Sequence, residues 1–364
     1  MRENTLKQRL YAGKAAFGVM CTFPSPTVVE MLGYLGFDWI LLDNEHGSIT
    51  VDTAEACIAA AEMTGMAPIV RPVGNKPEII APFLDRGAWG VQIPHVNTAA
   101  EARAAVDAVK YAPEGHRGIF SGGRPARYGF EGTTADYAKD ANRETLVCLM
   151  LEEVEAIENL PELVTVPGVD VYFIGSGDLS QSMGYTGQQA HPDVQKVMER
   201  GVATITGAGR IAGCSCPDNL IPKFLGLGVQ YFHGSVGRLL QQSSTAYLQA
   251  MRQAAASAGS DVGCHSRWVS TTCLGSQRRE TCGSLAVIWY WQARARSARS
   301  SWVSARRSLL KQATRRPLRR RSKPSGKPWL PRIEANSRRS ARISSAMAIR
   351  PGGSKQRASS STPP

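Results

Sequence analysis

Leu146-Val-Cys-Leu-Met-Leu-Glu152 and Val171-Tyr-Phe-Ile-Gly-Ser-Gly-Asp178 are apolar runs of strand length, each ending on a carboxylate before a polar turn and a helical pattern. Trp39-Ile-Leu-Leu-Asp43-Asn-Glu45-His46 has the same form. A chain that finishes successive buried strands with Asp, Glu or His places polar groups along one rim of a parallel sheet. In a closed β/α barrel that rim is where catalysis sits. Two oxygen ligands from neighbouring strands suit a hard divalent cation such as Mg²⁺ or Mn²⁺. A metal-assisted enzyme is therefore expected.

Working outward, strand-like runs fall at 15–23, 39–43, 67–72, 90–96, 146–152, 171–178, 210–216 and 229–235. Helix-period segments separate them. Ser25-Pro26 reads as a capping Ser followed by Pro at the first helical position. Thr98 and Glu101 are spaced as a capping box, and another helical pattern starts at Pro192. Alternating strands and helices imply a parallel sheet with helical crossovers. Eight repeats predict an α/β fold, a closed (β/α)₈ TIM barrel over residues 1–258. There is no GxGxxG after the first strand and no GxxxxGK[ST], which counts against nucleotide-binding open sheets.

Charge divides the chain. Of its 43 Lys+Arg and 30 Asp+Glu, 23 and 3 lie in residues 261–364, a local net of +20. Residues 1–260 keep 20 and 27, a net of −7, as in an ordinary mildly acidic globular domain. The basic part has 19 Arg and 19 Ser without helical or alternating period. Such a stretch cannot bury enough surface to offset its ordering entropy. Residues 259–364 are expected to be either a disordered basic tail or a non-native extension, such as a shifted reading frame would add. Arg-rich segments can bind RNA, but the barrel is expected to carry the function without nucleic acid.

Cys21, Cys57, Cys148, Cys214 and Cys216 are scattered and are expected to act as small buried hydrophobes. Cys264, Cys273 and Cys282 are evenly spaced but lack a second ligand set at zinc-site distance. Residues 1–10 show no secretory apolar region, and no apolar stretch approaches the ~20 residues needed to span a bilayer. A reducing, cytoplasmic setting is expected, without membrane attachment.

Several strand-end residues are candidates for chemistry. His46 is either a structural histidine or a general base beside two acids. Arg71 in Val70-Arg71-Pro72 suits bidentate binding of a carboxylate, an ion pair with Asp43 or Glu45, or both. Asp85 is either a helix-end surface acid or the carboxylate that orients His46. Glu152 and Asp178 are either rim ion-pair acids or metal ligands, and the glycines of Gly175-Ser176-Gly177-Asp178 favour the latter by allowing close backbone approach. Ser176 and Gly177 are candidate substrate contacts. Glu153 is expected on the outer face of its strand. The segment Gly115-His-Arg117-Gly118 to Gly122-Gly-Arg124 is a lid, an anion site or a plain loop. His95, His191 and His233 are expected to be structural.

Gly36-Phe-Asp-Trp-Ile-Leu-Leu-Asp-Asn-Glu-His-Gly47, Leu84-Asp-Arg-Gly-Ala88, Tyr111-Ala-Pro-Glu-Gly-His-Arg-Gly118 and Phe173-Ile-Gly-Ser-Gly-Asp-Leu-Ser180 closely resemble the HpcH/HpaI class II pyruvate aldolases. The resemblance covers about residues 15–257 and keeps the order of the motifs. It implies a (β/α)₈ barrel, assembled as a hexamer built as a trimer of dimers, that cleaves 4-hydroxy-2-oxo acids to pyruvate and an aldehyde. It places the ligands of a divalent metal (Mg²⁺, Mn²⁺ or Co²⁺) on Glu152 and Asp178, and the carboxylate-binding arginine on Arg71. A histidine–aspartate dyad falls on His46 and Asp85, and a strand-end aspartate on Asp43. Two departures stand out: Met150 where the family usually has Gln, and Phe232-His-Gly-Ser-Val-Gly-Arg238, which lacks an Asp often seen there. The first puts the usual heptanedioate substrate in question more than the chemistry. No Schiff-base lysine stands at a strand end. A related lyase acting on a CoA thioester would share the carboxylate pair but needs a basic groove that the sequence does not display.

Overall fold

The computed structural model describes residues 2–258. The basic segment 259–364, with Cys264, Cys273 and Cys282, lies outside the described residues. Eight parallel strands build the expected barrel: β1 Ala16–Cys21, β2 Trp39–Asp43, β3 Ala67–Arg71, β4 Gly90–Ile93, β5 Leu146–Leu151, β6 Val171–Ile174, β7 Ile211–Cys214 and β8 Val229–Ser235. Each pairs with the next, and β8 closes on β1. The helices begin where the sequence marks them. Ser25 Oγ accepts the amide of Val28, and Thr98 and Glu101 satisfy each other's backbone amides as a capping box.

The continuous apolar strands follow from burial on both faces. Trp39 and Leu41 pack in the barrel interior with Ile69, Phe173 and Tyr231. Ile40 and Leu42, alternating with them, pack in the outer shell with helix residues such as Ile58 and Phe83. An N-terminal helix, Thr5–Tyr11, adds Leu6 and Leu10 to the interior cluster. Asn4 caps it and donates to the carbonyls of Trp89 (3.0 Å) and Glu144 (2.9 Å), tying the helix to the end where strands begin. Cys21, Cys57, Cys148 and Cys214 are buried and form no disulfide, in keeping with their reading as small hydrophobes, whereas Cys216 is only partly buried. Among the described residues, no helix is long and apolar enough to cross a membrane.

Two strands stop earlier than their apolar pattern. β4 ends at Ile93 because Pro94 has no amide to give, and His95 turns the chain with a left-handed φ of 53°. β6 ends at Ile174, and Ser176–Ser182 is already a helix. Asp178 therefore sits in the first turn of a helix, not on a strand end.

The barrel interior is tight at its widest side chain. A Cβ on Gly18 would lie 2.1 Å from the indole of Trp39. That ring is stacked 3.9 Å from Tyr231 and cannot withdraw. Gly18→Ala is expected to lower unfolding free energy by about 1–3 kcal/mol, read as a reduced urea midpoint at unchanged slope. An alanine variant as stable as the parent would contradict this packing.

Candidate active site

Asp43 and Arg71 end β2 and β3 on the same rung of the sheet. Asp43 is fully buried and takes a two-point contact: Arg71 Nε donates to Oδ1 at 2.9 Å and Nη2 to Oδ2 at 2.8 Å. Oδ1 also accepts the amides of Glu45 (3.1 Å) and His46 (3.4 Å). One carboxylate thus shapes the turn after β2 and aims the guanidinium. Gly47 completes that turn, where a Cβ would lie 2.2 Å from the carbonyl oxygen of Asp43. Burial works against the charge on Arg71, but its bonds to Asp43 and the charges of Asp43, Glu45 and Glu152 outweigh this and raise its pKa. The rest of the fork faces sulfur: Nη1 is 3.7 Å from Met150 Sδ and Nη2 is 3.7 Å from Met20 Sδ. Thioethers are weak acceptors, so an incoming carboxylate meets little competition.

Glu152 follows β5 directly and is 1% exposed. Its Oε1 accepts the amide of His95 at 3.0 Å, while Oε2 is buried with no hydrogen-bond partner. Burial pushes its pKa up to about 7; His95 opposes this and the charges of Asp178 and Glu45 add to it. Among the described residues no cation pairs with Asp178. The two carboxylates thus repel each other, with one oxygen buried and unspent, a donor set that fits a hard divalent cation. Among the described residues, no group of three or more His, Cys, Asp or Glu side chains is arranged to hold a metal ion. Glu152 and Asp178 would therefore hold one as a pair, leaving its other positions to substrate and water.

The strand-end candidates largely converge. A cavity of about 540 Å³ is lined by Arg71, His46, Asp178, Ser176 and Gly177. Ser176 is held from the β7 side, its amide donating to Ser215 Oγ at 3.4 Å. His46 is loosely placed, with its side chain 61% exposed and Nε2 3.8 Å from Glu45 Oε2. A second cavity, of about 420 Å³ beside Glu62 and Arg124, contains none of these groups.

Asp85 does not join them. It ends the helix Pro77–Asp85 and accepts Arg117 Nη2 at 2.7 Å, while that guanidinium lies 4.6 Å from the Tyr111 ring centroid. Within one chain it is a helix-end ion-pair acid, not the partner of His46. Arg117 and Arg124 are occupied by Asp85 and Glu62, so the glycine-rich segment offers no free anion site through them.

Sequence reasoning missed three residues at the rim. His95 sits between acids, with Nδ1 3.1 Å from Glu153 Oε1 and 3.4 Å from Glu152 Oε1, and Nε2 3.2 Å from Glu45 Oε1. Burial lowers its basicity, but the three carboxylates outweigh that and raise its pKa. Glu153 therefore faces the rim, where it also accepts Asn97 Nδ2 at 3.0 Å, and not the outer side of the barrel. His233, near the end of β8, lines the cavity and stacks on Phe173 at 4.9 Å. Burial pushes it down to about 4, so it is neutral. His191 is structural as expected: it caps the helix Pro192–Gly207 and stacks on Tyr185. The strand-end rule that found Asp43 and Arg71 also reaches His95, just past β4.

The HpcH/HpaI aldolase/citrate lyase family model matches residues 18–226. The chain belongs to that family. Among curated members, it is 40% identical over 199 residues to the 2-dehydro-3,6-dideoxy-6-sulfogluconate aldolase of Pseudomonas putida, covering 55% of this chain and 77% of that protein. It is 37% identical over 230 residues to the 4-hydroxy-2-oxo-heptane-1,7-dioate aldolase of Shigella sonnei, covering 63% of this chain and 87% of that protein. A crystal structure of an HpcH/HpaI aldolase/citrate lyase family protein from Burkholderia cenocepacia superposes with a TM-score of 0.65 at 28% identity, covering 68% of this chain and 99% of that one.

The raised pKa of Glu152 has a consequence for stability in this family member. A carboxyl whose folded pKa lies above its usual value of 4.5 stabilises the fold when protonated, and that contribution is lost as pH rises through about 7. Glu152→Gln copies the protonated form. In chelator, it is expected to match the parent near pH 5 and exceed it at pH 8 by on the order of 2–3 kcal/mol, measured by chemical denaturation. A parent more stable than the variant at pH 8 would refute the unpaired, desolvated carboxylate.

Proposed function

We propose that this chain is a class II, divalent-metal-dependent aldolase that cleaves a 4-hydroxy-2-oxo acid to pyruvate and an aldehyde. The observation that carries this reading is a pre-aimed guanidinium that lines one cavity with Asp178, beside the buried Glu152, whose ionisation the charge of Asp178 opposes. The relatives' names agree with it, since both name aldolases of 2-oxo acids.

Each residue then has a task. The Nη donors of Arg71, now facing Met20 and Met150, hold the C1 carboxylate and stabilise the enolate oxygen as charge develops on it. His46, at the open side of the cavity, takes the proton of the C4 hydroxyl. The C3–C4 bond breaks, the aldehyde leaves, and its electron pair moves onto the C2 oxygen of the three-carbon fragment. Protonation at C3 yields pyruvate. Glu152 and Asp178 would hold a Mg²⁺, Mn²⁺ or Co²⁺ ion, which would supply Lewis acidity to the 2-oxo group. Asp43 keeps Arg71 in register, and Ser176 and Gly177 form the wall beside it.

A homo-oligomer, in this reading a hexamer built as a trimer of dimers, is supported by the final helix. Val236–Ser257 runs 22 residues and buries only Val236. Leu240, Tyr247, Leu248 and Met251 are exposed on it, more apolar surface than a free helix ordinarily carries. Leu240→Asp with Met251→Asp is expected to reduce the mass measured by light scattering to that of a smaller species. An unchanged mass would remove this helix from the interface.

For the chemistry, Glu152→Ala and Asp178→Ala are expected to abolish pyruvate release, as is removal of divalent metal. His46→Ala should lower kcat by about 10²–10⁴. Arg71→Lys should fail as well, because an ammonium cannot reproduce the planar fork. Full turnover in verified metal-free protein would defeat the metal-dependent reading, and near-parental turnover in either variant would return that residue to a structural role.

A further inference from the structure

β7 ends in a pair of thiols that the proposed reaction does not use. Cys214, its last residue, is fully buried. Cys216, two residues on, is half-buried and lines the same cavity as Arg71 and Asp178. The two side chains lie close enough to share a hydrogen bond. That bond holds the Cys216 thiol below its ordinary pKa, with the Arg238 guanidinium adding to it, against burial and the charge of Asp218. The same bond, together with burial, pushes Cys214 up. One thiol is thus inclined to ionise on an accessible wall, while its neighbour keeps its proton. That is the asymmetry between an attacking thiolate and a resolving thiol.

The spacing also suits a bond between them. Cα atoms two residues apart in a strand are separated by ~6.6 Å, inside the ~4.4–6.8 Å that disulfides span. Ser215, between the cysteines, lies past the end of β7, where the chain can bend to bring the sulfurs together. Bending there disturbs a neighbour. The Ser215 amide donates to the carbonyl of Ile174 at 3.4 Å, and its Oγ lies 3.3 Å from Ser176 Oγ and accepts the Ser176 amide at 3.4 Å. Ser215 therefore braces the turn that leads from β6 into Asp178.

We propose that Cys214 and Cys216 form a reversible dithiol–disulfide site, oxidised by hydrogen peroxide, whose closure pulls Ser215 off Ser176 and loosens the turn that carries Asp178. The Cys216 thiolate attacks one peroxide oxygen, the O–O bond breaks, and the leaving oxygen takes up the thiol's proton and departs as water. Cys216 is then a sulfenic acid, oxidised by two electrons. The Cys214 sulfur attacks it, the S–S bond forms as the S–O bond breaks, and the hydroxyl leaves with the Cys214 proton as a second water. A dithiol reductant reverses the closure. The site stands apart from the function proposed above, and only its effect on turnover rests on that reading.

Trypsin isolates the pair, because residues 211–223 lie between Arg210 and Lys223 and hold both thiols and no other cysteine. The full chain is treated with hydrogen peroxide, alkylated and digested. That peptide is expected to lose two hydrogens and to resist alkylation until dithiothreitol restores both thiols. Hydrogen–deuterium exchange over residues 175–182 should rise in the oxidised parent, and pyruvate release should fall by about tenfold or more. Cys216→Ala should show neither change on oxidation. Cys214→Ala, which keeps the attacking thiol and loses the resolving one, should stop at a sulfenic acid on Cys216 that dimedone traps. A peptide that stays fully alkylatable after peroxide overturns the site. A disulfide that forms with exchange and turnover both unchanged overturns its coupling to Asp178. Raised exchange in a parent that releases no pyruvate even before oxidation upholds the coupling and overturns the aldolase reading.

Discussion

The two-point contact between Asp43 and Arg71 holds the rim together. Both groups are almost completely removed from water, so neither is tolerated without the other, and breaking such a pair costs about 3–5 kcal/mol. From it follow the turn that carries Glu45 and His46, the direction of the guanidinium, and the glycine at 47. The partners sit on one rung of neighbouring strands. A slip of one residue would turn Arg71 toward the helices and leave Asp43 buried alone. Strand register and active-site geometry are thus enforced by the same bond.

Around that pair the rim is crowded with acid. Glu45, Glu152 and Glu153 meet at His95, with Asp178 close enough to disfavour ionisation of Glu152. His95 holds this position with a left-handed backbone that a side-chain-bearing residue adopts at some cost. Most of the barrel's apolar burial lies below this patch. Interior and outer apolar shells run from β1 to β8.

How much of this was legible depends on the distance over which each residue is determined. Asp43, Arg71 and Glu152 were readable because a buried run beside a polar residue is a local pattern. Asp178 was found as a ligand candidate but misplaced, since Gly175 to Gly177 carry no periodicity to show that β6 had ended and a helix begun. Asp85 has two readings in the sequence, and within one chain it takes the helix-end one. A helix-end acid can meet any arginine the fold brings near, and it met Arg117, 32 residues on. His95 looked isolated because its partners Glu45 and Glu152 lie on other strand ends and meet it only when the sheet curls closed. Local spacing finds groups that a strand presents, not the partners that closure selects.

The two methionines beside Arg71 bear on the energetics of the reaction itself. A guanidinium facing water or an amide must shed well-made hydrogen bonds before it can follow charge moving onto a substrate oxygen. Facing the sulfurs of Met20 and Met150 at 3.7 Å, it has little to give up. The donors that Asp43 does not take are fixed in direction and only weakly engaged, so in the proposed reaction much of the reorganisation is completed when the chain folds and not during turnover. In that proposed role, Met150 contributes a weak acceptor that Arg71 gives up readily when a substrate oxygen arrives.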